Sequence, residues 1–246
     1  MLRVRTWASV CCLALCGAGP ASRPVTAVAA VKVDDSGRPD AGFLKDHEAF
    51  LRDGADGHPI DLVLLGDSIT AGWFWGHDRD VYDAHFAKYH PANFGIGGDR
   101  TEHVLWRIDN GELDRVRPRV LVLLVGTNNI GSPTDEITAG VTAVVDAVHA
   151  KLPKTKVLLL AIFPRGKTLA DPNVVWMRDK IRAVNDSLAK LDDGAGTRFL
   201  DVGGKFLSPD GSISPDVMTD ALHPSQKGYG IWADAMQPLL DEMMKP

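Results

Sequence analysis

Cysteine is almost missing from this chain. The 246 residues hold three, Cys11, Cys12 and Cys16, all close to the start. Beyond them the chain can form no disulfide, no thiolate metal site and no cysteine nucleophile. Long basic runs are missing too, and the formal net charge is −5, which excludes nucleic acid as an expected partner. No stretch reaches the roughly 20 apolar residues that a membrane-spanning helix needs. Internal repeats and low-complexity blocks are also lacking, which excludes a repeat array. What is present, 45% hydrophobic and 24% charged residues, lies near globular averages and suits one α/β domain with a full core.

The front of the chain reads as a targeting segment. Arg3 and Arg5 give a positive start, residues 7–19 form a short apolar run, and Ala27-Val28-Ala29 matches the small-x-small cleavage pattern. The expectation is a signal peptide over residues 1–29, cleaved after Ala29, and an exported protein, periplasmic or extracellular. The rival is a lipoprotein anchored through Cys16. Leu15 stands before that cysteine where a small residue is expected, which disfavours it. Residues 30–57 then form a leader and an N-terminal helix. Residues 31–40 look loose, and Phe43, Leu44, His47, Phe50 and Leu51 mark one side of a helix over 41–51. The catalytic domain is placed at 58–246.

The remainder alternates strands and helices with connections too long for hairpins, which argues a parallel sheet covered on both faces. Strands are expected at 61–65, 92–94, 120–125, 157–163 and 199–202, and the main later helices at about 173–191 and 225–244. Residues 120–125 are continuously apolar, the signature of a central parallel strand. A helix near 133–152 opens with Ser132 as cap and Pro133 at its first position.

Chemistry-bearing residues gather where these strands end, the usual place for ligands in an open parallel sheet. Gly66-Asp67-Ser68 follows the first strand, either as a site or as an ordinary capped turn. Gly95-Ile96-Gly97-Gly98-Asp99-Arg100 fails as a dinucleotide fingerprint because Arg100 occupies the third glycine position. Its backbone N–H groups could hold an oxyanion, or the glycines could serve a tight turn. Gly126-Thr127-Asn128-Asn129 is either a ligand loop or an Asx turn. Trp73-Phe74-Trp75 either lines a pocket or packs under a helix. His77, His85 and His90 lack the carboxylate company of a metal site. Asp220-Ala221-Leu222-His223-Pro224 precedes the last helix. An aspartate three residues before a histidine can orient one imidazole nitrogen and free the other to take a proton from a serine, although a histidine there is also a common cap.

Taken in order, Gly66-Asp67-Ser68, Gly97-Gly98-Asp99, Gly126-Thr127-Asn128-Asn129 and Asp220-x-x-His223 resemble the four blocks of the SGNH (GDSL-type) hydrolases. The long windows Asn93-Phe94-Gly95-Ile96-Gly97-Gly98-Asp99 and His103-Val104-Leu105-Trp106-Arg107, with Asn110-Gly111-Glu112-Leu113 and Pro164-Arg165-Gly166, are most similar to the catalytic subunits of the brain platelet-activating-factor acetylhydrolase. The resemblance spans about residues 58–242. It implies a three-layer α/β/α sandwich of flavodoxin-like type, with five parallel strands ordered 2-1-3-4-5. It implies Ser68 as nucleophile, His223 as base and Asp220 as its orienter. It also implies an oxyanion hole of the Ser68 N–H, the Gly98 N–H and the Asn128 amide. An ordinary α/β-hydrolase fits less well, since Thr70 stands where the second glycine of G-x-S-x-G belongs.

The implied reaction is hydrolysis of a small acyl ester, foremost acetyl, with neither metal nor organic cofactor. For an exported enzyme, O-acetyl groups on a polysaccharide are the accessible substrates and lipid esters the alternative. Residues 69–75 depart from the brain enzymes, so their substrate is not carried over. A non-catalytic carbohydrate-binding module on the same fold is the rival from another class. Intact Ser68, Asp220 and His223 count against it.

Overall fold

A computed structural model describes residues 23–75 and 78–245. The apolar body of the expected signal peptide, the three cysteines and His77 lie outside the described residues. The elements in chain order are α1 (Ala41–Ala55), β1 (Leu62–Gly66), α2 (Ser68–Ala71), α3 (Asp78–Phe86), β2 (Pro91–Gly95), α4 (Thr101–Asp109) and β3 (Val120–Leu124). After these come α5 (Thr134–Lys151), β4 (Lys156–Leu160), α6 (Pro172–Leu188), β5 (Thr197–Leu200) and α7 (Gln226–Met243).

The five strands are parallel and ordered β2-β1-β3-β4-β5. Each residue of β1 and β3 is buried, because both faces of the sheet are covered. Alternation along β1 divides the core in two. Leu62 and Leu64 join Trp73, Phe86, Tyr229 and Trp232 on the side of α3 and α7. Val63 and Leu65 join Val104, Ile137, Val144 and Val184 on the side of α4, α5 and α6. Burying one such aliphatic side chain contributes about 1.5–3 kcal/mol.

Two strands stop short of the apolar runs that announce them. The run through Phe163 predicts a longer β4. However, Asn185 of α6 accepts from the Ile162 N–H and donates to the Ile162 carbonyl, both at 2.9 Å. Those backbone groups are thereby removed from the ladder. Likewise β5 ends at Leu200, and Asp201 accepts from the Gly203 N–H at 2.7 Å and turns the chain. Helix α5 starts one residue later than expected, with Pro133 as its N-cap.

The leader is not loose. Val33 bridges Pro39, and the Asp40 N–H donates to the Lys32 carbonyl at 2.9 Å. Asp40 then caps α1 through the Phe43 N–H. Upstream, Thr26 is buried, its hydroxyl donates to the Glu136 carbonyl at 2.6 Å, and its own carbonyl accepts from the Thr101 hydroxyl at 2.7 Å. Cleavage after Ala29 would remove this contact with α4 and α5. Helix α1 belongs to the same body, with Phe50 stacked on Phe94 and His47 against Trp106. Among the described residues no helix is long and apolar enough to cross a membrane.

Candidate active site

Strands β1, β2 and β3 end level, with Gly66 opposite both Gly95 and Leu124. Their following loops therefore meet at one edge of the sheet. Ser68 opens α2 directly after β1. A Cβ on Gly66 would lie 2.2 Å from the Leu124 carbonyl oxygen and 2.3 Å from Thr70 Oγ1, so only glycine lets α2 fold back this tightly. Asp67 caps the helix by accepting from the Ile69 N–H at 3.0 Å. Its carboxyl is wholly enclosed, and burial pushes it up to about 7 against that hydrogen bond. Tyr229 of α7 donates to the Ile69 carbonyl at 2.8 Å and fixes the far side.

His223 reaches this serine from the loop before α7. Its Nε2 lies 2.9 Å from Ser68 Oγ and its Nδ1 lies 2.7 Å from Asp220 Oδ2. With Asp220 ionised, Nδ1 carries the proton and donates, which leaves Nε2 as the acceptor for the serine hydroxyl. The second Asp220 oxygen accepts from the backbone N–H groups of His223 at 2.7 Å and Leu222 at 3.0 Å. Burial alone would raise the Asp220 carboxyl. The bonds from the His223 backbone and ring outweigh it and hold the group below its ordinary value. This grip requires Ala221 between them to take a φ of 57°, a left-handed conformation that costs a non-glycine residue roughly 1–2 kcal/mol. The Gly166 N–H, donating to the Ala221 carbonyl at 2.8 Å, holds it there.

The glycine loop after β2 is a β-turn over residues 96–99. The Asp99 N–H donates to the Ile96 carbonyl at 3.2 Å, and Gly98 takes a φ of 74°. A positive φ at the third position, with Gly97 outside that region, makes this a type II turn. Asn128, half-buried in the loop after β3, donates through Nδ2 to the Asp99 carbonyl at 2.8 Å and joins the two loops. That leaves one amide hydrogen uncommitted. Among the described residues the N–H groups of Ser68 and Gly98 have no acceptor. Asn129 is different. It is fully buried, accepts from the Thr101 N–H at 3.0 Å and donates to Glu102 at 2.9 Å, so it serves the fold.

The aromatic cluster divides. Trp73 is core, its ring centroid 4.4 Å from Tyr229 and 4.7 Å from Trp232. Trp75 is 47% exposed with its ring centroid 5.5 Å from that of His223, so this ring does border the site. His85 and His90 pair with Gln237 and Asp61. Among the described residues no cluster of histidine, cysteine or acidic side chains could hold a metal ion.

Two arginines that pattern reading left without a role organise this edge. Arg107 is fully buried. It donates to the Gly66 carbonyl at 3.1 Å and the Phe94 carbonyl at 3.0 Å, pairs with Asp99 at 3.0 Å, and pairs with Glu112. One guanidinium thus holds the ends of β1 and β2 and the glycine loop together. Burial pushes both carboxyls up, Asp99 to about 6 and Glu112 to about 7, while Arg107 pulls them back. The sequence did carry a signal, since Arg107 falls three residues after Val104 and beside Ile108 on the inward stripe of α4. Arg165, after β4, donates from Nη1 to the carbonyl and hydroxyl oxygens of Thr127 at 3.2 and 3.3 Å. It braces the loop that carries Asn128.

The chain is similar to known proteins over most of its length. The profile of the GDSL-like lipase/acylhydrolase family matches residues 64–231. The chain is 39% identical over 222 residues to the human platelet-activating factor acetylhydrolase IB subunit alpha1, covering 90% of this chain and 89% of that one. Among solved structures it is similar to a GDSL-like lipase from Bacteroides thetaiotaomicron, with TM-score 0.64, 18% identity, and coverage of 80% of this chain and 97% of that one. It is also similar to a carbohydrate acetylesterase from Sinorhizobium meliloti, with TM-score 0.57, 19% identity, and coverage of 74% and 98%. The chain is an ester hydrolase and belongs to the GDSL-like lipase/acylhydrolase family.

Proposed function

We propose that the enzyme hydrolyses small acyl esters, foremost acetyl, through an acyl-enzyme on Ser68. The observation that carries this is the unbroken chain from Ser68 Oγ to His223 Nε2 and from His223 Nδ1 to Asp220. As Ser68 Oγ bonds to the ester carbonyl carbon, its proton passes to His223 Nε2, and the resulting imidazolium is stabilised by Asp220. The carbonyl oxygen becomes negative and accepts from the N–H groups of Ser68 and Gly98 and the free amide hydrogen of Asn128. Collapse breaks the bond to the alcohol, which leaves with the proton from Nε2. Water, deprotonated by His223, then attacks the acyl-enzyme, and the acid departs as Ser68 regains its proton.

The preferred substrates are O-acetyl groups on carbohydrate. This reading draws on the carbohydrate acetylesterase among the similar structures and on the exposed face of Trp75, which can meet the alcohol portion beside His223. Export, which rests on Arg3, Arg5 and the apolar run of residues 7–19, would bring the enzyme to such polymers. A lipid ester is the second reading, favoured by the platelet-activating factor acetylhydrolase relative. Turnover of acetylated xylo-oligosaccharides against an acetylated glycerophospholipid tests the choice. We expect the higher kcat/KM on the sugar esters, and a preference for the phospholipid reverses the assignment.

A further inference from the structure

A lysine from outside the expected catalytic domain reaches the glycine loop. Lys32 lies in the leader. Its ammonium donates to the Gly97 carbonyl and sits 3.8 Å from the buried Asp99 carboxyl. Two anchors hold the surrounding segment: the Ala30 N–H donates to the Glu102 carbonyl at 3.0 Å, and the Asp40 N–H donates to the Lys32 carbonyl at 2.9 Å. The lysine side chain is only 21% exposed.

The Gly97 carbonyl and the Gly98 N–H belong to one peptide unit and point in opposite directions. In a β-turn this central unit is the part that distinguishes type II from type I. The two types differ by roughly half a rotation of that peptide, which exchanges the places of its C=O and N–H. Two glycines flank the unit here, so no side chain opposes the flip. In the flipped form the Gly97 carbonyl, rather than the Gly98 N–H, would face the site and repel an oxyanion.

We propose that Lys32 is a positioning residue for catalysis: by holding the Gly97 carbonyl it fixes the Gly97–Gly98 peptide so that the Gly98 N–H faces the reacting carbonyl oxygen. This rests on the proposed assignment of Gly98 to the oxyanion hole. The contact acts in two ways. A charge-assisted bond to the carbonyl keeps the peptide from turning. The same bond draws electron density toward the carbonyl end of the amide, which strengthens its N–H as a donor. Both effects grow in value as negative charge develops on the substrate oxygen, so they act on turnover more than on substrate binding.

The test is steady-state kinetics on p-nitrophenyl acetate for the full chain, with Lys32→Met, Lys32→Arg and Ser68→Ala side by side and Tm measured for each. Lys32→Met should lower kcat by roughly tenfold or more, about 1.4 kcal/mol in the barrier. KM should move by less than about twofold, and Lys32→Arg should recover most of the loss. Affinity for a small alkylboronic acid, which forms a tetrahedral adduct on serine, should weaken alongside kcat. A lysine that only fastens the leader would lower Tm and leave kcat and boronate affinity untouched, and that result overturns the proposal. If Lys32→Met does not fold, Lys32→Ala, which also removes the donor, takes its place. A folded Lys32→Ala with wild-type kcat and boronate affinity also overturns it. Ser68→Ala separates the two levels of the argument. An inactive Ser68→Ala with a fully active Lys32→Met removes the lysine's role and leaves the serine mechanism, whereas an active Ser68→Ala removes both.

Discussion

Replacing Asn128 and Asn129 by alanine in turn should damage two different properties. Asn128 is half-buried, with one amide hydrogen on the Asp99 carbonyl and the other uncommitted. Its loss removes one proposed oxyanion donor, whose best bond forms only when the substrate oxygen is tetrahedral and negative. Removing such a donor typically costs about 10²–10³ in kcat, or roughly 2.7–4 kcal/mol, with little change in KM. Asn129 is fully buried, and its loss strands the Thr101 N–H and leaves Glu102 Oε2 with the Thr101 hydroxyl at 3.2 Å alone. One stranded buried group costs about 1–3 kcal/mol of stability. For a domain of this size that lowers Tm by roughly 2–12 °C. The assay is kcat and KM on one acetyl ester together with a thermal melt for each variant. We expect Asn128→Ala to melt near wild type with kcat strongly reduced. Asn129→Ala should melt early while its folded fraction keeps the larger share of its turnover. An Asn128→Ala that raises only KM, or an Asn129→Ala that loses more turnover per folded molecule, would refute this assignment of the hole.

Two further predictions follow from burial. The Asp67 carboxyl is raised to about 7 by its enclosure, so its contribution to stability is present below the unfolded value near 3.8 and is lost as pH rises through about 7. Asp67→Asn keeps an oxygen for the Ile69 N–H without the charge, and should flatten the fall in Tm between about pH 4 and 7; an unchanged pH profile would show that Asp67 carries no such penalty. The second concerns processing. Thr26 is buried and bonded to both α4 and α5, so under the proposed export the mature chain should begin upstream of Pro24 rather than at Ala30. Intact mass of the secreted protein decides between the two, and a chain starting at Ala30 would show that the enzyme works without this contact.

Much of the fold was legible because strand ends and apolar runs are local features. The continuous run in β3 and the glycines closing β1 and β2 mark the sheet and its working edge before any contact is known. The strand order came from the resemblance to a family, since no periodicity encodes it. The site loops were legible for the same local reason, as each carries its chemistry within three or four residues. What escaped was long-range. Thr26 meets Glu136 across 110 positions and Lys32 meets Gly97 across 65, so nothing near either residue announces its partner. The left-handed Ala221 escaped for another reason. Its conformation is imposed by Asp220 gripping His223 and by Gly166 from another loop, against alanine's own preference.

The central claim is that Ser68 carries the acyl group. It is tested most directly by hydrolysis of p-nitrophenyl acetate with wild-type enzyme and Ser68→Ala, each checked by thermal melt and by peptide mapping after rapid acid quench. The account predicts an acetyl adduct on Ser68 of the wild type. It also predicts a loss of turnover on the order of a thousandfold or more in the variant at unchanged Tm. Turnover near wild type in Ser68→Ala, or an acetyl group on a different residue, would contradict it.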